Sequence, residues 1–134
     1  MSGPVVGIVL VSHSAAVAQS VADLARGLAA GGPVVPVAAA GGTADDALGT
    51  SAERIAAAAR EVDRGSGVAL LADLGSSVLT VKALLVEDEL PPGSRLLDAP
   101  FLEGAVAAVV AASAGAPLEA VAAAAEEAYA YRKT

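Results

Sequence analysis

Apolar and polar residues come in blocks along this chain. Residues 5–11 (Val-Val-Gly-Ile-Val-Leu-Val) form a continuous apolar run. It is too uniform for a half-exposed strand and predicts a buried parallel one, ending at Ser12-His13-Ser14. Val17, Val21, Leu24 and Leu28 then recur at offsets of 4, 7 and 11, which is one face of a helix. Gly31, Gly32 and Pro33 stop that helix. Val34, Val35, Pro36 and Val37 predict a second strand, near a sheet edge because of its proline. A glycine-rich loop follows, from Gly41, Gly42 and Thr43 to Gly49.

Residues 50–53 (Thr-Ser-Ala-Glu) have the capping-box pattern and open a helix that turns Ile55, Ala59 and Val62 inward. Residues 68–73 predict a third buried strand ending in an acid. Leu74, Gly75, Ser76 and Ser77 turn into another helix, with Leu79, Leu84 and Leu85 as core candidates. Pro91, Pro92 and Gly93 break it. Residues 95–98 predict a fourth strand, and an Ala/Val helix ends near Gly115. Pro117 opens a last helix that runs to about Tyr131.

Strands and helices thus alternate about four times. That pattern predicts an α/β fold: a doubly wound, mainly parallel sheet of four or five strands with helices on both faces. The length of 134 residues suits a single domain over 1–134. Composition changes the picture in two ways. With 35 Ala, 18 Val and 15 Leu, the core must be built from small aliphatic side chains, and disorder is excluded. With no Cys, disulfide scaffolds and Cys-ligated metal sites are excluded too.

No apolar run free of charge, Gly and Pro is long enough to suggest a membrane span, and the N-terminus lacks the basic start of a signal peptide. A cytoplasmic protein is the expectation. The net charge of −7 disfavours nucleic acid and anionic membrane surfaces as partners.

In open parallel α/β sheets, ligands bind beyond the carboxyl ends of the strands. The expected residues there are Ser12, His13 and Ser14 after strand one, Gly42 and Thr43 after strand two, and Asp73 to Ser77 after strand three. His13 is the only histidine. Alone and without Cys, it makes a metal site improbable, since such ligands come in groups. Nucleophile or general base remains. A nucleophilic imidazole needs its far nitrogen held by a carboxylate. Asp73 meets that need if strands one and three are neighbours, although it could simply cap the next helix. Gly75, Ser76 and Ser77 at one helix start, and Ser14 at another, offer N–H groups and hydroxyls suited to a phosphoryl group. Ser76 and Ser77 could also be plain caps, and Gly41 to Thr43 only a turn. No Walker lysine pattern and no G-x-G-x-x-G marks a nucleotide site.

Four segments occur together in order: the run from Val5 to Ser14, Gly-Thr-Ser at 49–51, Asp-Leu-Gly-Ser-Ser at 73–77, and Ala-Pro-Phe-Leu-Glu-Gly-Ala at 99–105. In this set the chain resembles the phosphocarrier subunits of phosphotransferase-system-dependent dihydroxyacetone kinases, in particular their mannose-type enzyme IIA domain. The resemblance covers nearly the whole chain. It implies a homodimer in which His13 accepts a phosphoryl group from phospho-HPr and passes it to ADP bound in the nucleotide-binding kinase subunit, with no cofactor. It further implies phosphorylation at Nε2, with Asp73 toward Nδ1. His13 and Asp73 are then the catalytic pair. Ser14, Gly75, Ser76 and Ser77 bind the phosphoryl group, and Ser12, Gly42 and Thr43 form the rim.

A sugar-specific enzyme IIA of the same fold would pass its phosphate to an enzyme IIB. Those proteins resemble a Gly-Gly-Ser-Pro segment after the aspartate, where this chain has Leu74, Gly75, Ser76 and Ser77. A small tetrapyrrole metal chelatase and a non-catalytic α/β binding module are the readings from other classes. The chelatase would want further ligands beside His13.

Overall fold

The computed structural model describes residues 5–32 and 34–134; Met1–Pro4 and Pro33, the last residue of the predicted first helix stop, lie outside the described residues. Four strands, β1 (Gly7–Ser12), β2 (Val37–Gly41), β3 (Val68–Ala72) and β4 (Ser94–Leu96), alternate with helices α1 (Ala15–Leu28), α2 (Ala52–Val62), α3 (Gly75–Val86), α4 (Phe101–Ser113) and α5 (Leu118–Glu127). A 3-10 turn at Ala128–Ala130 follows α5. The sheet order is β2-β1-β3-β4 and every pairing is parallel. The doubly wound α/β prediction is therefore met with four strands.

Strand periodicity splits the core into two layers. Ile8 and Leu10 of β1, with Ala69 and Leu71 of β3, face α1, α4 and α5. Val9 and Val11, with Leu70 and Ala72, face α2 and α3. Both central strands are buried along their whole length, which is why their sequences read as unbroken apolar runs. No helix among the described residues is long and apolar enough to cross a membrane.

Three expectations are corrected. The second strand lies at Val37–Gly41 rather than at 34–37. Pro36 has no N–H to give the ladder, and its carbonyl accepts from the Ile8 N–H at 2.9 Å, so regular pairing begins after it. The strand is an edge, as the proline suggested. The buried face of α1 is Ala18, Ala22 and Ala25, whereas Val17, Leu24 and Leu28 are exposed. Small side chains let α1 lie close over β2, and this closeness is extreme at Gly41. A Cβ there would stand 2.5 Å from the Ser14 carbonyl oxygen and 2.6 Å from the Ala15 Cα. In α3, Leu84 is buried and Leu85 packs at the core edge, but Leu79 is exposed.

The remaining elements match closely. Ile55, Ala59 and Val62 of α2 are buried as predicted. Ser51, rather than Thr50, is the N-cap of α2: its side chain accepts from the Arg54 N–H. The fourth strand begins one residue earlier than predicted and ends at Leu96. The last helix gives way to the 3-10 turn before Tyr131.

Candidate functional site

The chain leaves β1 toward β2 on one side and returns to β3 on the other. This puts a topological switch point between β1 and β3, the place where open α/β sheets bind ligands. His13 follows the last residue of β1, and Asp73 follows the last residue of β3. Parallel register pairs Val11 with Ala72, so the next residues emerge side by side. The Asp73 N–H also donates to the Val11 carbonyl at 3.1 Å.

Asp73 is the hub. Its Oδ2 accepts from the Ser12 hydroxyl at 2.9 Å and from the His13 backbone N–H at 3.0 Å. Its Oδ1 lies 3.0 Å from His13 Nδ1 and accepts from the Leu74 N–H at 2.7 Å. Burial alone would push this carboxyl up. Hydrogen bonds from the His13 N–H, the His13 ring, the Ser12 hydroxyl and the Leu74 N–H outweigh it and bring the pKa down to about 2. An ionised carboxylate only accepts, so Nδ1 carries the ring proton and donates. In that tautomer Nε2 is left with its lone pair. The His13 side chain is 25% exposed, so the ring edge meets solvent.

Ser76, exposed in the first turn of α3, sets its hydroxyl against Nε2. Gly75 and Ser76 are the first two residues of α3, so their N–H groups have no carbonyl to reach within the helix. The positive end of the helix dipole adds to these donors, and together they suit an oxyanion at Nε2.

Ser77 is fully buried on the other side of the ring, with Oγ 3.1 Å from Nδ1 and its N–H given to the Leu74 carbonyl. Its hydroxyl thus stands at Nδ1 rather than Nε2, and its N–H is engaged within the first turn of α3. Ser14 caps α1, its Oγ accepting from the Val17 N–H, while its own N–H donates to Ser12 Oγ at 3.1 Å. Ser12 is buried beneath Asp73, inside the site rather than on its rim. Gly42 donates its N–H to the Ser12 carbonyl and borders the site. Thr43 closes its own turn through Ala47 and does not meet the ring.

One participant was missed from sequence. Thr50, read as a helix cap, places Oγ1 3.2 Å from Ser77 Oγ. Beside this cluster, a groove of about 470 Å³ runs from Asp73 and Gly75 to Asp98, Phe101 and Tyr129. Along it, partial burial and then the neighbouring Asp98 carboxylate push the Tyr129 phenol up.

A family model described as PTS system fructose IIA component, EIIA-man, matches residues 7–122. A phosphoryl donor subunit DhaM of a PEP-dependent dihydroxyacetone kinase from Listeria innocua is 37% identical over 101 residues, covering 75% of this chain and 77% of that protein. A second from the same organism is 32% identical over 107 residues, covering 78% and 84%. The corresponding Escherichia coli subunit is 32% identical over 119 residues, covering 87% of this chain, which spans only 25% of that protein. A crystal structure of a protein of unknown function superposes with a TM-score of 0.77 at 29% identity, covering 93% of this chain and 95% of the other. A sigma-54 interaction domain protein from Enterococcus faecalis, at 18% identity and a TM-score of 0.67, shares the fold.

Proposed function

Because the chain belongs to the EIIA-man family of PTS system fructose IIA components, we propose that it is a phosphohistidine carrier acting as one domain over residues 1–134. In this reading it is the phosphoryl donor subunit of a dihydroxyacetone kinase. The observation that carries the proposal is the polarised imidazole: Asp73 on Nδ1, and Ser76 with the start of α3 on Nε2.

The transfer is a pair of displacements. His13 Nε2 attacks the phosphorus of a phosphohistidine donor, phospho-HPr. The donor's N–P bond breaks, its imidazole leaves with the electron pair, and an Nε2–P bond forms. As Nε2 gives up its lone pair the ring turns cationic, and the Asp73 carboxylate neutralises that charge through Nδ1–H. Ser76 then turns its hydroxyl proton from Nε2 to a phosphoryl oxygen, joining the Gly75 and Ser76 N–H groups. In the second step a terminal oxygen of ADP, held by the nucleotide-binding kinase subunit, attacks the phosphorus. The Nε2–P bond breaks and the lone pair returns to Nε2. Phosphohistidine has enough transfer potential that this chain need bind no nucleotide itself. Its work is positioning and charge stabilisation.

A cytoplasmic homodimer completes the reading. The exposed stripe of Val17, Leu24 and Leu28 on α1 offers such a dimer an apolar seam. The test is intact mass after incubation with phosphoenolpyruvate, enzyme I and HPr, beside His13→Ala. An acid-labile phosphoryl gain that needs His13 supports the carrier; no gain from active donors sinks it. Discharge of the phosphorylated chain to ADP-loaded kinase subunit, against discharge to a sugar enzyme IIB, separates the kinase reading from the sugar one.

A further inference from the structure

The hydroxyl of Ser77 has one proton and, among the described residues, two polar atoms within reach: His13 Nδ1 at 3.1 Å and Thr50 Oγ1 at 3.2 Å. Ser77 is fully buried, so bulk water is no alternative. Nδ1 can accept that proton only in the tautomer that protonates Nε2, and this tautomer has no lone pair with which to attack phosphorus. Asp73 already favours the proton on Nδ1, and a Ser77 O–H aimed at that atom would oppose it, so the direction of one buried O–H bond bears on how completely His13 holds the reactive tautomer.

Thr50 is held where it can decide that direction. The preceding residue, Gly49, donates its N–H to the His13 carbonyl at 2.9 Å. Thr50 itself bridges to Gly42 at the end of β2. The adjoining cap of α2 is supplied by Ser51, which leaves the Thr50 side chain free of that duty.

We propose that Thr50 is a positioning residue: its Oγ1 accepts the Ser77 proton, so that Ser77 turns a lone pair toward Nδ1–H and holds His13 in the tautomer with a free Nε2. Ser77 and Asp73 then share the Nδ1 proton as two acceptors, one neutral and one charged. The proposal rests on the phosphohistidine reading for its consequence, but the tautomer is a property of the unphosphorylated chain.

His13 is the only histidine, so nitrogen NMR of protein labelled with 15N-histidine reports its two ring nitrogens without overlap. The wild-type chain is expected to show Nδ1 protonated and Nε2 bare. Thr50→Val keeps the shape and removes the acceptor. The buried Ser77 proton then turns to Nδ1, the ratio of Nδ1–H to Nε2–H tautomer falls roughly tenfold, the scale of one net hydrogen bond, and phosphoryl uptake slows by the fraction of chains that leave the reactive tautomer. Thr50→Ser restores both readings. The double variant Thr50→Val with Ser77→Ala removes the misdirected donor and returns the ring to Nδ1–H, which repair of a merely displaced loop would not do. Thr50→Ala gives the same comparison should the valine fail to fold. Wild-type tautomer signals and uptake in Thr50→Val would overturn the proposal, as would a tautomer change that Ser77→Ala leaves in place. A wild-type chain with Nδ1–H but no phosphoryl uptake would overturn the carrier reading and leave this one standing.

Discussion

Replacing Asp73 by Asn tests the hub of the site through stability rather than activity. The carboxylate accepts four hydrogen bonds, from the Ser12 hydroxyl, the His13 N–H, the His13 ring and the Leu74 N–H. An amide has one oxygen, so its NH₂ must face either the His13 N–H or the Leu74 N–H. Donor then meets donor, at a cost of about 1–3 kcal/mol. The carboxyl pKa lies at about 2 in the fold against 3.8 unperturbed. Because the folded value is the lower one, the ionised group stabilises the fold above pH 3.8, and that contribution is lost as pH falls toward 2. The shift taken at face value is about 2.4 kcal/mol, and screening at a site open to water reduces it to about 1 kcal/mol. Urea unfolding of both chains between pH 2 and 7 measures this directly. The wild-type advantage over Asp73→Asn is expected to be flat above pH 4 and to shrink by about 1 kcal/mol by pH 2. Taking the difference cancels the other acids. An advantage that does not change with pH, or none at all, would refute the view of Asp73 as a charged acceptor.

Ser76→Ala removes the hydroxyl at Nε2 from an exposed turn. Phosphoryl uptake is expected to slow roughly tenfold, with stability within about 0.5 kcal/mol of wild type; unchanged uptake kinetics would separate Ser76 from the chemistry. Gly41→Ala sets a Cβ 2.5 Å from the Ser14 carbonyl oxygen. Backbone must move there, so a loss of about 1–3 kcal/mol is expected in chemical denaturation, and unaltered stability would contradict the close seat of α1 on β2. Leu24→Asp puts a charge on the exposed stripe of α1. Sedimentation is expected to show a shift toward monomer with the fold intact, and an unshifted dimer would place the seam elsewhere.

The two central strands were readable because burial on both faces leaves only apolar residues in them, as in Val9-Leu10-Val11 and Leu70-Leu71. The pairing of His13 with Asp73 followed from strand ends that parallel register brings together. β2 was obscure because Ala38, Ala39 and Ala40 carry no strand preference, and tertiary context overrode their helical one. The face of α1 inverted for a related reason. Hydrophobic spacing marks the valines and leucines, yet close packing against the sheet selects the alanines at 18, 22 and 25. Thr50 stood in a capping-box pattern and in the Gly-Thr-Ser segment at 49–51, but neither pointed to a contact with Ser77. Its partner Ser77 is 27 residues away, and only the closure of two loops over one histidine brings them together.

The insertion of β1 between β2 and β3 also governs when the site can exist during folding. Ser12 and Asp73 are 61 residues apart along the chain, and nothing shorter joins them. Contacts of such long range form slowly, because chain entropy must be lost before they give any return. β1, α1 and β2 together carry the histidine, while the carboxylate, the start of α3 and Ser77 all lie later in the chain. On the carrier reading, phosphoryl uptake at His13 requires the third strand to be in place, because Asp73 and the start of α3 come to the ring only with it.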